Sequence, residues 1–157
     1  MDRQKGDPFV VALFSEIVMI EQLARIRISR AMPKGMELSH FMVLNHFSRL
    51  GGEKTPAQLA RVFHVTKGAM TNTIRKLDDA GYVHVRPDWD DARRKWVSLS
   101  PAGQAARDRA VTNIAPVLDE LVAGVRDDEL RAALPILRAI RLSFGGETGA
   151  DSPVPPR

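Results

Sequence analysis

Residues 59–99 read LARVFHVTKGAMTNTIRKLDDAGYVHVRPDWDDARRKWVSL, and the fold of the whole chain follows from their patterning. Leu59, Ala60, Val62 and Phe63 form the apolar face of a short helix. Phe63-His64-Val65 makes a turn, and Thr66 stands where it can cap the next helix. In that helix Met70, Ile74 and Leu77 recur at helical spacing and define one buried stripe. Lys67, Gly68, Thr71, Asn72 and Arg75 fall on the opposite face, which is polar and short-chained. Asp78-Asp79-Ala80-Gly81 closes the helix at a glycine. Residues 82–86 and 95–99 alternate and carry β-branched side chains, which predicts two strands. Between them PDWDDARR is a turn-rich, charged hairpin loop.

Working outward, Thr55-Pro56-Ala57-Gln58 is a capping box with proline at the first helical position. Glu53 and Lys54 before it suit a short strand. A helix over 39–50 is expected, with Ser39 as its N-cap and Gly51-Gly52 as its stop. From 9 to 31 a long helix is expected. Val10, Leu13, Phe14, Ile17, Ile20 and Ala24 recur at helical spacing, and Val11, Val18, Met19, Leu23 and Ile26 widen the stripe beyond one face. So much apolar circumference must be covered on more than one side, and a partner subunit is the natural cover.

Downstream, Ser100-Pro101 opens a helix over 101–125, with a kink expected at Pro116. Asp127-Asp128-Glu129 suit the start of a last helix through the macrodipole, and Pro135 is a second irregularity. The chain thus divides into a flexible start (1–8), an N-terminal helix (9–35), a central unit (36–100), C-terminal helices (101–144) and a disordered Gly- and Pro-rich tail (145–157). The expected fold is mainly α with one small β-hairpin.

The chain has 157 residues, 44% of them hydrophobic, which fits one domain with helical extensions. Its formal net charge is +4. Lys and Arg exceed Asp and Glu by 2 in residues 1–50 and by 3 in 51–100, and fall short by 1 in 101–157. The positive charge is therefore not a tail. There is no cysteine, so disulfides, thiolate zinc sites and thiol redox sensing are excluded. No apolar run is long enough to span a bilayer, and no cleavable leader pattern is present, so a cytoplasmic protein is expected. No Ser elbow, phosphate-cradling glycine loop or His-Glu-x-x-His occurs, which speaks against an enzyme. The adjacent Asp pairs read as caps and loop braces. His40, His46, His64 and His84 lack the spacing and companions of a metal site, so neither a metal nor a cofactor is expected.

A capped helix, a turn, a polar-faced helix and a charged hairpin together suit duplex DNA. The second helix fits a major groove and the hairpin reaches the flanking backbone. The order of elements resembles the MarR (multiple antibiotic resistance regulator) family of winged helix-turn-helix regulators. Asp91-Ala92-Arg93 followed by Val97 matches the family's wing signature of Asp, any residue, Arg, then Val four positions on. Leu59-Ala60, Leu77, Gly81-Tyr82-Val83, and Val97-Ser98-Leu99-Ser100 ahead of Gly103 also stand in register with the family. The resemblance implies a homodimer whose first and last two helices interlock, with two wings straddling a palindromic operator. It also implies a cleft for small phenolic or aromatic carboxylate effectors, as in many members. The oxidant-sensing members use cysteine, from which this chain departs.

On this reading Thr66 and Lys67 meet phosphate, and Gly68 lets the backbone come near DNA. Thr71, Asn72 and Arg75 are the candidate base readers; which reads which base stays open. Asp91 braces the loop while Arg93 reaches a minor groove, where narrow A·T tracts attract guanidinium, and Arg94 and Lys95 add backbone contacts. For Arg61 and Lys76 a phosphate contact and plain solvation are equally consistent. His46 is either a partly buried core histidine or a hydrogen-bond partner for an acidic effector. Trp89 and Trp96 read as packing residues. The expected function is a DNA-binding transcriptional repressor relieved by a small ligand. The rival reading is an architectural DNA-binding protein without ligand response.

Overall fold

The computed structural model describes residues 6–144. Its elements run α1 (Pro8–Ala31), α2 (Leu38–Leu50), α3 (Pro56–Val62), α4 (Lys67–Asp79), β1 (Val83–Pro87), β2 (Lys95–Leu99), α5 (Pro101–Val122) and α6 (Asp127–Ser143). No helix among the described residues is long and apolar enough to cross a membrane. The expected tail at 145–157 lies outside the described residues. Of the segment expected to be flexible at 1–8, residues 1–5 also lie outside them, while Asp7 caps α1 by accepting from the Phe9 amide at 2.9 Å.

Capping chemistry places most helix starts where the sequence puts them. The Thr55 and Gln58 side chains satisfy each other's backbone amides at 3.2 and 2.8 Å. Thr66 accepts from Ala69 N at 3.1 Å, and Ser100 accepts from Gly103 N at 2.9 Å. One start differs. α2 is capped at Glu37, not at Ser39. Glu37 N donates to His40 Nδ1 at 3.1 Å, and the Glu37 carboxylate takes Lys76 Nζ of α4 at 2.7 Å. Glu37 therefore joins the start of one helix to the last turn of another, and Ser39 falls inside the first turn.

Two helix ends use the same device. At the end of α4, Tyr82 N donates to Leu77 O and Gly81 N to Asp78 O, both at 2.8 Å, with Gly81 at φ 73°. At the end of α3, Val65 N donates to Ala60 O at 3.0 Å and His64 N to Arg61 O at 3.2 Å, with His64 at φ 51°. Both are Schellman caps. The first has the glycine such a turn favours; the second holds a histidine in the left-handed region, so it was legible only as a turn.

The strands pair antiparallel, Val83 opposite Leu99 and Val85 opposite Val97. The short strand expected at Glu53 and Lys54 is a single-residue bridge, in which Lys54 and Val97 exchange backbone hydrogen bonds at 2.9 and 3.0 Å. The main core gathers Val43, Leu44, Phe47, Leu59, Met70, Ile74, Leu77, Val83 and Val97. A second cluster joins Phe41 of α2 to Ala110 and Ile114 of α5, with Ile28 and Ala31 of α1 against it. α5 ends at Val122, short of the expected 125, and continues through Pro116; α6 continues through Pro135.

A close backbone approach joins α5 to the end of α4. A Cβ on Gly103 would sit 1.9 Å from Tyr82 O and 2.9 Å from Leu99 Cδ1. The carbonyl belongs to backbone held by the Gly81 cap and by Ser100 N at 3.1 Å, so it cannot swing away alone. Gly103→Ala is expected to destabilise the fold by about 1–3 kcal/mol despite alanine's better helix propensity. Urea unfolding of the two proteins side by side measures this, and equal midpoints would show that the joint yields.

Candidate nucleic-acid interface

The first turn of α4, the start of α3 and the hairpin loop enclose a cleft of about 450 Å³. Lys67, Thr71, Asp91, Arg93, Arg94 and Lys95 line it, together with Thr55, Pro56 and Ala57. Six of the ten residues read from the sequence as DNA contacts thus share one cavity. Thr66, Gly68, Asn72 and Arg75 do not line it. They lie exposed at the start of α4 and along its outer face. Thr55, Pro56 and Ala57 were legible as a helix start but not as part of a site, because nothing in their types signals the neighbour that folding brings up.

On α4, Thr66 uses an oxygen lone pair for its cap, and its hydroxyl proton stays available to an acceptor. Lys67 opens the helix with no acidic residue in the first turn, so its charge opposes the macrodipole. Nothing within the chain approaches a Cβ built at Gly68. Arg75 donates to Asn72 Oδ1 at 2.8 Å and lies 3.5 Å from the Asp79 carboxylate. That pair orients the Asn72 amide and leaves its nitrogen and one oxygen lone pair facing outward.

The hairpin loop is braced twice. Asp91 Oδ1 accepts from Arg93 N at 3.0 Å, and Asp91 O accepts from Arg94 N at 2.9 Å. Asp88 is the second brace, unforeseen in the sequence. Its carboxylate accepts from Asp90 N and from Trp96 Nε1, both at 2.9 Å, while its own amide donates to Arg94 O at 2.9 Å. The Asp90 amide, then the Trp96 indole, hold the Asp88 carboxyl below the usual carboxylate range. At the hairpin base Arg86 grips both oxygens of Glu53 and lies 6.0 Å from the Trp96 ring centre. This bond holds Glu53 below its ordinary value and raises Arg86 above its own. Arg94 pairs with Asp88 at 3.7 Å. The side chains of Arg93, Lys95 and Lys67 have no hydrogen-bond or ion-pair partner among the described residues. The loop is thus fixed by its acids and backbone, and its foremost cations are left over.

His46 does not line this cleft between α4 and the wing, which is not the effector cleft that the resemblance implies. Its ring packs edge-on against Phe47 and Phe63 at 5.8 and 5.6 Å, with Nε2 buried and unpartnered. Burial, then the charges of Lys54 and Arg49, push its pKa below the ordinary histidine value, so it is neutral at neutral pH. Trp96 packs as expected. Trp89 does not: it is 89% exposed.

A family model described as MarR family matches residues 34–94, which span α2 to β1 and the hairpin loop. The HTH-type transcriptional regulator YdgG of Bacillus subtilis is 25% identical over 105 residues, covering 66% of this chain and 69% of that protein. Mutant MarR from Escherichia coli superposes with a TM-score of 0.70 at 25% identity, covering 82% of this chain and 95% of its own. The same mutant complexed with operator DNA gives 0.71 at 23% identity, covering 87% and 99%. BpsR of Bordetella bronchiseptica, whose DNA binding is regulated by 6-hydroxynicotinic acid, gives 0.71 at 18% identity, covering 82% and 98%. Helix order, hairpin and matched segment agree: residues 34–94 carry a MarR-family segment, and the chain shares the winged helix-turn-helix fold of the E. coli MarR structures.

Proposed function

We propose that this regulator is a homodimeric repressor that binds a palindromic operator through α4 and the wing and is released by a small aromatic acid. One observation carries the DNA-binding part: the cleft between α4 and the wing collects four cations, Lys67, Arg93, Arg94 and Lys95, and three of them have no partner within the described chain. Cations without internal partners break no bond of the fold on meeting phosphate, and each releases counterions from the duplex when it does. Asn72 and Thr71 supply neutral polar groups for base edges, and Arg93 supplies a guanidinium for a minor groove.

The terminal helices support a dimer. Neither α1 nor α6 contains a buried residue. Val11, Val18 and Ile20 are each more than 60% exposed, and Ile136 is 59% exposed. A surface that apolar is stable in water only when covered, and a second copy of the same helices has matching chemistry. Operator binding by the E. coli relative and effector control of BpsR support the operator and the aromatic acid. An effector acts here only by binding one spacing of the paired α4 helices more tightly than the other.

Arg93→Ala is expected to weaken binding to a duplex selected from a random pool by about fivefold to a hundredfold, at about 1–3 kcal/mol per lost contact, while the dimer mass by light scattering stays the same. Unchanged affinity at matched salt would remove the wing from the interface. Gly68→Ala is expected to act in opposite directions on fold and binding. It should stabilise the helix by about 0.5–1 kcal/mol, because no atom of the chain opposes the new methyl, yet weaken duplex binding. Equal affinity in the anisotropy titration would show that the α4 backbone does not approach DNA at that point.

A further inference from the structure

We infer that Trp89 is an apolar contact to DNA at the tip of the wing, its indole lying against the sugar wall of the groove that Arg93 enters. The inference rests on the DNA-binding reading above and adds to it a residue of a different chemistry.

At 89% exposure Trp89 is the most exposed large hydrophobic side chain among the described residues. An indole carries one of the largest apolar surfaces of any side chain, so leaving it in water is unfavourable. The same hairpin folds Trp96 in and gives its Nε1 a partner in Asp88. The outward direction of Trp89 is also built rather than slack. It is the central residue of an Asx turn, with Asp90 N on Asp88 Oδ1 at 2.9 Å, and Asp88 N on Arg94 O at 2.9 Å closes the loop behind it.

The surroundings select the partner. No other large apolar side chain is exposed in the loop; the companions of Trp89 from 88 to 95 are Asp88, Asp90, Asp91, Ala92, Arg93, Arg94 and Lys95. A protein-docking face or a membrane contact calls for a contiguous apolar patch, which is absent here. A single aromatic ring beside free cations instead matches a surface that alternates apolar sugar with phosphate. Two of the three nearby carboxylates are turned into the loop, Asp88 toward Trp96 and Asp90 N, and Asp91 toward Arg93 N, so they present less charge to phosphate. Arg93 lies four residues away across the same braced turn and lines the cleft with Arg94 and Lys95.

The test uses the full chain and a duplex selected from a random pool. Trp89→Ala is expected to lower duplex affinity about tenfold, the effect of withdrawing part of an indole face from water against apolar sugar, while Trp89→Phe retains most of it. Because the indole is almost wholly exposed, neither change should lower the thermal midpoint. The salt dependence gives a second readout: an apolar contact leaves the slope of log affinity against log salt unchanged, whereas loss of a phosphate-bound cation lowers it by about one. Acrylamide quenching of the native chain, less that of Trp89→Phe in which Trp96 is the sole tryptophan, isolates Trp89 and should fall several-fold when duplex is bound. Native affinity in Trp89→Ala, or equal quenching in a complex verified by anisotropy, would overturn the inference and leave the DNA-binding reading standing. Failure of the native chain to bind any duplex would overturn both.

Discussion

Everything in this fold depends on how Ser100 is bonded. Its Oγ donates to Gly81 O at 2.6 Å and accepts from Gly103 N at 2.9 Å, while its amide donates to Tyr82 O at 3.1 Å. One buried residue thus ties the cap of α4, the entry to β1, the exit from β2 and the first turn of α5. Gly103 makes this joint close, because only a residue without a side chain lets α5 press against the Tyr82 carbonyl. The end of α4, the start of α5 and the two strands of the wing are therefore bonded at one joint.

That joint gives the two cores separate duties. The main cluster fixes α4 against α2, α3 and the hairpin, and the second fixes α5 against α1 and α2. α5 contributes Ala106 to the first and Ala110 and Ile114 to the second, each about one turn from the next, so it is a strut through both. Arg107 strengthens it, donating to Asn45 Oδ1 of α2 at 2.8 and 3.0 Å. At its far end the strut carries exposed apolar residues, and α1 and α6 carry more. On the dimer proposed above, the spacing of the two α4 helices is set where these ends meet, and the strut transmits it to the DNA face.

Local chemistry made most of this legible in the sequence. Thr55, Thr66 and Ser100 are caps wherever they stand, Gly81 is a glycine stop, and the Met70, Ile74 and Leu77 stripe is buried by its period alone. What escaped required a partner from elsewhere in the chain. Glu37 displaced Ser39 as the α2 cap because its box partner His40 and the distant Lys76 both reach it. His64 ends α3 in a conformation that a glycine would have announced. Asp88 looked like one more turn acid until Trp96 folded across it, and Trp89 read as a packing residue until the turn faced it outward. The cleft itself was half legible: the residues of α4 and the wing were readable by type, but their meeting with the start of α3 depends on tertiary packing.

The residues left over after the fold is satisfied fall together. Lys67 sits at the wrong end of a helix for its charge, Gly68 weakens a helix that would accept alanine, Arg93 has a braced backbone and an unengaged side chain, and Trp89 is held out in water. Each is unfavourable or idle in the free chain, for four unrelated physical reasons. Residues kept for internal stability do not concentrate such features in the first turn of one helix and the loop beside it. A single external surface answers all of them when it is negatively charged, needs close backbone approach, offers a narrow groove and presents apolar sugar between its phosphates. On the function proposed above, duplex DNA has those properties at once, so the misfit of these residues to their own fold says more than the positive charge of the chain does.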